Sequence, residues 1–238
     1  LDVKVGNGSF NSTIDISRAL SHSLVNVAKG AGLQCEAIIT DMNQVLGKSA
    51  GHTLEMLECI NYIKNESKDS RLESITNELI SSLLMMVYKI SKEEAQKKII
   101  EVITSGYAAE KFEMMVAALG GPKNILSSYE KDLSNTSSQK DIFVQNSGWV
   151  KKIHTRELGL TLIELGGGRK QVTDKINYGV GYDNVCSVGD KVDSSRPLLT
   201  LYSNNMKDDK KLEDRIKDCF VISEKEITKL PEIYEHIN

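Results

Sequence analysis

Several groups of residues in this chain have types that chemistry uses, and their spacing decides which uses are open. Gly166-Gly167-Gly168-Arg169-Lys170 joins unhindered backbone amides to two cations, the ingredients of a phosphate cradle. The glycines follow a helical stretch instead of opening one, and the G-x-x-x-x-G-K-S/T spacing is missing, so the positive helix end faces away. A helix-to-strand turn is the reading. His22, His52, His154 and His236 are scattered, with no Cys or carboxylate at a nucleophile or metal spacing, and His52 reads as a helix-start residue bonded to the backbone. Cys35, Cys59, Cys186 and Cys219 include no C-x-x-C pair and read as buried free thiols. The loop from Asp41 to Gly51 carries more information. It is polar, and it lies between an apolar strand and an amphipathic helix.

A second turn, Gly6-Asn7-Gly8-Ser9, is followed by Phe10. An aromatic face there suits a flat ligand ring, and a hydrophobic staple against the next helix is the competing structural role. Asp2 and Lys4 share one strand face, opposite Val3 and Val5, and read as a salt-bridged pair near the same rim.

The elements that must position these groups follow from periodicity. Leu1 to Val5 alternates as a buried strand, and because it opens on Leu1 the chain is expected to be a piece of a longer protein. Ser12 and Asp15 have the form of a helix cap, and Ile16, Leu20, Leu24 and Val27 recur at helical spacing up to Gly30 and Gly32. Cys35 to Thr40 reads as a second strand. Strand, helix and strand within forty residues favour a right-handed parallel crossover, whose ligands gather beyond the carboxyl ends of the strands. The turn at Gly6–Phe10 and the loop at Asp41–Gly51 therefore belong to one rim.

Helical patterns continue through Leu54 to Ile63, Leu72 to Met86, a stretch capped by Ser91 and Glu94, and Phe112 to Leu119, with Met85, Met86, Met114 and Met115 read as packing. Lys123 to Lys140 is rich in Ser, Asn and Lys and reads as a solvated connection. Beyond it come short strands at Ile142–Val144 and Trp149–Val150, a helix at Thr155–Leu165, several strands within Lys175–Ser203, a helix at about Asp208–Phe220 and a terminal extension. The expected class is an α/β partial parallel or mixed sheet with flanking helices over residues 1–122, a linker over 123–141, and a smaller α+β domain over 142–238.

Composition narrows the function. A 40% hydrophobic content suffices for one large core or two smaller ones, and a net charge of −3 gives no broad positive field for nucleic acid or an anionic membrane. No apolar run approaches the roughly 20 residues of a membrane span, and no basic, apolar secretory start is present, so a cytoplasmic location is expected.

Two blocks carry a family resemblance. Thr40-Asp41-Met42-Asn43-Gln44-Val45-Leu46-Gly47-Lys48-Ser49-Ala50-Gly51-His52 through Glu58 resembles the signature of the thymidine and pyrimidine nucleoside phosphorylases. His154-Thr155-Arg156-Glu157-Leu158-Gly159 through Lys170, with Asp174, Lys175, Ile176, Tyr178 and Val180-Gly181, resembles that family's C-terminal domain, of hammerhead or barrel-sandwich type. The resemblance implies phosphorolysis of thymidine or other pyrimidine nucleosides to the free base and 2-deoxy-α-D-ribose 1-phosphate, with inorganic phosphate as co-substrate. It implies that Phe10 packs beside the pyrimidine ring. It also implies a potassium ion held by the backbone carbonyls of Leu46 and Ser49 and the carboxylate of Glu58, nine positions after Ser49; an ordinary solvated helix residue is the competing reading of Glu58. A homodimer is implied for the full-length enzyme. The family's Lys-x-Ser phosphate loop and base-binding Arg/Lys helix are not found after Leu1, so the piece is expected to need the N-terminal part of the enzyme and to be inactive alone. Two alternatives stand: a nucleoside-monophosphate phosphorylase of the same architecture, and a non-enzymatic barrel. The latter rests on Val188-Gly189-Asp190-Lys191-Val192 and on Thr173-Asp174-Lys175-Ile176, which resemble biotinyl and lipoyl carriers, although Lys175 precedes the Gly-Asp unit where carriers place the modified Lys after it.

Overall fold

The computed structural model describes residues 1–132, 138–203 and 210–238. The chain forms two compact units, Leu1–Leu54 with Thr136–Asn238, and Glu55–Asn135. The first begins with β1 (Asp2–Val5), α1 (Ile14–Gly30) and β2 (Ala37–Asp41). β1 and β2 run parallel, with Asp2 beside Ile38 and Val5 beside Asp41. The expected parallel strand–helix–strand unit is present. Its helix starts one residue later than the Ser12 cap anticipated: the Thr13 hydroxyl accepts from the Ile16 amide.

α1 also turns a different face inward. Ser17, Ser21 and Val25 are buried, and Val25 joins Val3, Val5, Ala37, Ile39 and Ile237 in a small core. Small side chains let the helix approach the sheet closely. Ile16, Leu20, Leu24 and Val27, expected as the core face, are exposed. Their apolar spacing marks a helix correctly but not the side that meets this sheet.

The second unit is helical. It contains α2 (His52–Ile63, entering from the first unit), α3 (Ser70–Tyr88), α4 (Lys92–Thr104), α5 (Tyr107–Ala118) and α6 (Ile125–Asp132). The capping box of Ser91 and Glu94 forms as expected. The stretch read as solvated connection is in part helical. In α6, Ile125 is buried and the Leu126 amide donates to the Glu113 carboxylate of α5, a cap supplied from 13 residues away that local composition does not reveal. Residues 133–137 of that stretch lie outside the described residues. Met85, Met114 and Met115 are exposed, not packed, and only Met86 is half-buried.

The chain returns to the first unit with β3 (Ser138–Ile142), β4 (Gly148–Ile153), α7 (Thr155–Leu162), β5 (Gly181–Asp183), β6 (Lys191–Val192), β7 (Leu199–Ser203), α8 (Lys210–Asp218), β8 (Phe220–Ser223) and β9 (Ile233–Ile237). β3, β7 and β5 form one antiparallel sheet, and β6, β4 and β8 another. Ile142, Val150, Ile153, Leu158, Tyr182, Leu199 and Ile216 are its core. Among the described residues the sheets are small and open, and none closes into a barrel. The last helix begins in the sequence reading at Asp208, which lies outside the described residues. The terminal extension is not an extension: β9 pairs antiparallel with β2, making the first sheet mixed in the order β1-β2-β9. Arg18 of α1 anchors it through a 2.6 Å ion pair with Glu235.

Candidate functional site

β2 ends at Asp41, a buried carboxylate that organises the rim. Its Oδ1 accepts from the Asn43 amide at 3.2 Å, the Asn43 side chain at 2.7 Å and the Tyr234 hydroxyl at 3.2 Å. Asn43 in turn receives the Asn7 amide at 3.0 Å. This fit demands glycine at position 6, where φ is 126° and a Cβ would sit 2.6 Å from the Asn43 side chain. Gly8 has a different reason: a Cβ there would lie 2.7 Å from the Met42 carbonyl and 2.8 Å from Thr155 Cγ2.

Asn7 carries the relay onward to α7. Its Nδ2 donates to the Ile153 carbonyl at 2.9 Å, and its Oδ1 accepts from the Thr155 amide at 2.7 Å. His154 precedes α7 without capping it through its side chain, so a residue 148 positions away does so. The β1 turn, the β2 loop and α7 are thereby fixed to one another. The Asp41–Gly51 loop is held on its other side too. Gln44 accepts from the Val188 amide, the Lys48 carbonyl from Val185, and Ala50 and Tyr182 exchange two backbone bonds at 2.9 and 2.8 Å.

Between these three elements lies a cavity of about 350 Å³. The turn supplies Gly8, Ser9 and Phe10; the loop supplies Met42, Val45 and Ala50; α7 supplies Thr155, Arg156, Leu158 and Leu162. Tyr182 forms part of its wall. Its buried hydroxyl bonds to Thr161 at 2.8 Å, and burial raises its pKa, so it stays a neutral phenol. The walls are mostly apolar, with Arg156 as the charged residue of the lining, while the Ser9 hydroxyl is spent within its turn on the Lys4 carbonyl and the Asn11 amide. Phe10 is 99% exposed at this opening, which removes the staple reading, since a staple would bury the ring.

Of the residues singled out in the sequence, Phe10 lines the cavity, and Leu46 and Ser49 lie in the loop whose Val45 and Ala50 line it. Ser49 is buried; Glu58 lies half-buried on α2, in the second unit. Asp2 and Lys4 pair at 2.8 Å, and both bond Thr40, as a structural network. Sequence reasoning missed Asn7, Asn43, Asp41 and Arg156. The polar Asn residues at two neighbouring turns were the available signal.

Other groups resolve into structure. Gly166–Gly168 and Arg169–Lys170 end α7 in a π-turn and a coil folded on Asp174, whose carboxylate accepts the Lys170 and Gln171 amides at 2.9 Å; no strand follows until Gly181. Lys175 lies in that coil and not at a hairpin tip. A Lys-x-Ser spacing does occur at Lys89-Ile90-Ser91, but Lys89 ends α3 in the left-handed conformation and Ser91 caps α4. His52 packs edge-on against Tyr178 at 5.2 Å, in place of the expected backbone bond. Cys186 and Cys219 are buried, whereas Cys35 is half-buried and Cys59 exposed, against the expectation for all four. Burial raises Cys186 to about 12 and Cys219 to about 11, so both are inert thiols. A larger cavity of about 650 Å³ lies within the second unit, its lining largely apolar with Tyr62, Thr76, Lys98 and Glu101 among it. Among the described residues, no helix is long and apolar enough to cross a membrane, and no three His, Cys, Asp or Glu side chains converge as for a metal ion.

Fold and site together define a mixed helix-and-strand protein with a ligand-sized cleft at the end of a parallel strand pair. Residues 149–223, from β4 to β8, match the family model of the pyrimidine nucleoside phosphorylase C-terminal domain. That match agrees with the resemblance carried by His154 to Gly181.

Proposed function

We propose that the chain is a portion of a thymidine, or pyrimidine nucleoside, phosphorylase and supplies one wall of its active-site cleft. The observation that carries the reading is the joining of three elements around one cavity. These are the Phe10 turn, the Asp41–Gly51 loop and α7, the last of which lies within the matched segment. In the reaction, a phosphate oxygen forms a bond to C1′ of the sugar while the bond from C1′ to the base nitrogen breaks, its electron pair leaving with the base. The products are the free base and 2-deoxy-α-D-ribose 1-phosphate. Such a step needs phosphate held on one side of the sugar and positive charge near the departing base. The chain's own contribution is positional: Phe10 offers an apolar face to the pyrimidine, Arg156 a cation at the rim, and the Asn7 relay a rigid frame.

Hard oxygen donors such as the Leu46 and Ser49 carbonyls would suit the potassium ion that the family resemblance implies, and its role would be to hold the loop. In support, Lys48 and Ala50 spend their carbonyls on Val185 and Tyr182, which fixes the peptides flanking Ser49. The C-terminal residues would form the family's hammerhead or barrel-sandwich arrangement, in a cytoplasmic homodimer of the full-length enzyme. The phosphate loop and the base-binding Arg/Lys would come from the N-terminal part of the enzyme.

The test is an assay of phosphate-dependent thymine and uracil release from their nucleosides. The 238-residue chain alone should show none, and adding a separately produced N-terminal portion of such an enzyme should restore it. Turnover by the chain alone would overturn the assignment of the missing groups; no turnover in the mixture would overturn the enzyme reading.

A further inference from the structure

The turn that carries the Asn7 relay is also the dipeptide of this chain most prone to deamidation. Asn7-Gly8 is the one Asn-Gly pair in the sequence. In such a pair the main-chain nitrogen of the glycine attacks the side-chain carboxamide carbon. A bond forms between Gly8 N and Asn7 Cγ, the Asn7 amide nitrogen leaves as ammonia, and water then opens the succinimide at either carbonyl to give aspartate or isoaspartate. Glycine makes the step fast, because it has no Cβ to hinder the nitrogen and lets the chain bend into the ring. The two Asn-Ser pairs, Asn11-Ser12 and Asn146-Ser147, carry that Cβ and are slower for this reason.

The fold blocks the attack. The Gly8 amide donates to the Met42 carbonyl at 2.9 Å, so its proton and its direction are both committed. The Asn7 carboxamide is turned to other partners, Nδ2 donating to the Ile153 carbonyl at 2.9 Å and Oδ1 accepting from the Thr155 amide at 2.7 Å. Ring closure must break these bonds, so it waits for the turn and α7 to part. The rate in the folded chain is then that of the open turn multiplied by the fraction of time the turn is open.

The product cannot restore what it replaces. In aspartate an oxygen stands where Nδ2 was, and a carboxylate only accepts. It would face two further acceptors, the Ile153 carbonyl and the Asn43 Oδ1 that Nδ2 meets at 3.3 Å. Asn43 cannot reverse its amide to help, because its Oδ1 takes the Asn7 main-chain amide and its Nδ2 donates to Asp41 at 2.7 Å. Isoaspartate lengthens the main chain by a methylene where there is no room, since even a Cβ on Gly8 would lie 2.7 Å from the Met42 carbonyl.

We propose that Asn7 is a deamidation site guarded by the closed relay, that parting of the turn from α7 exposes it, and that the product keeps the two apart. Opening is thereby made permanent, and α7 is loosened from the Phe10 turn whatever ligand the cleft takes.

The test incubates the folded chain, and the same chain in guanidinium chloride, at mildly alkaline pH in heavy-oxygen water, whose label marks conversion during the incubation. Digestion and mass spectrometry follow Asn7 and Asn146, the latter exposed in the bend between β3 and β4 and serving as reference. Unfolded, Asn7 should react faster than Asn146. Folded, the order should reverse, with Asn7 slowed about tenfold or more. Asn43→Ala removes an acceptor of the Asn7 amide and should speed Asn7 in the folded chain while leaving Asn146 unchanged. The chain modified at Asn7, separated by its added negative charge, should unfold at a lower urea concentration than the unmodified chain. Asn7 reacting as fast folded as unfolded overturns the guard, and equal urea midpoints for the two forms overturn the permanence. Both of these arms use the natural sequence, so they decide the matter even where Asn43→Ala does not fold.

Discussion

Asn7 is a single amide on which three elements depend. Replacing it with Ala removes the acceptor for the Thr155 amide and the donor to the Ile153 carbonyl, and leaves the first turn of α7 uncapped. Loss of a cap and a buried bond costs about 1–2 kcal/mol. Urea unfolding of Asn7→Ala should show this loss, and an unchanged midpoint would refute the relay. The two buried thiols give a second expectation. Both folded values, about 12 for Cys186 and about 11 for Cys219, lie above the ordinary 9.0 because burial penalises the thiolate. Below pH 9 both folded and unfolded chains keep these protons, and stability is insensitive to them. As pH rises further the unfolded chain releases them while the folded chain holds on, so stability falls. The urea midpoint should drop between pH 9 and 11, and Cys186→Ala should flatten that slope even though its cavity lowers the midpoint throughout. An equal slope in the variant would contradict the assignment. The role of Asn7 was not visible in the sequence, where it reads as a turn residue; burial was expected for all four thiols and is found for Cys186 and Cys219, which differ from Cys35 and Cys59 in no local way.

Elements were legible where their own residues determine them. The Ser91 and Glu94 capping box and the periodicity of the β1–α1–β2 unit and of α7 are encoded locally, although α7 takes its cap from the distant Asn7. What distant partners decide was not legible. β3 is polar and takes its place from its register with β7, α6 is capped by Glu113, and β9 reaches back about two hundred residues to β2. The inward face of α1 belongs to the same class, because periodicity is blind to which of two usable faces meets a given sheet. Its start offers a clean comparison of neighbours. Thr13→Ala should cost about 1 kcal/mol, since its hydroxyl is the cap, and Ser12→Ala close to nothing. Thermal melts of the two variants decide the matter, and the reverse order would restore Ser12 as the cap.

At the scale of the molecule, β9 joins the sheet of β1 and β2 at the β2 edge, so a late segment of the chain packs beside the first strands. The matched 149–223 segment and the Asp41–Gly51 loop lie in the same unit, joined through Asn7, Gln44, Lys48 and Ala50, so a cleft forms between parts of the chain far apart in sequence. The candidate rim was legible as two loops beyond parallel strand ends. Its third wall, α7, was recognised in the sequence only as part of a separate domain. The central claim is that this cleft receives the pyrimidine ring against Phe10. The direct measurement is kcat/KM for thymidine phosphorolysis by the assembled enzyme carrying Phe10→Ala. Phe10 is almost fully exposed, so the melting temperature should stay within the small range of surface substitutions, while kcat/KM should fall about tenfold or more, the loss of one aromatic face from a binding site. Unchanged kcat/KM in a normally folded variant would contradict the account.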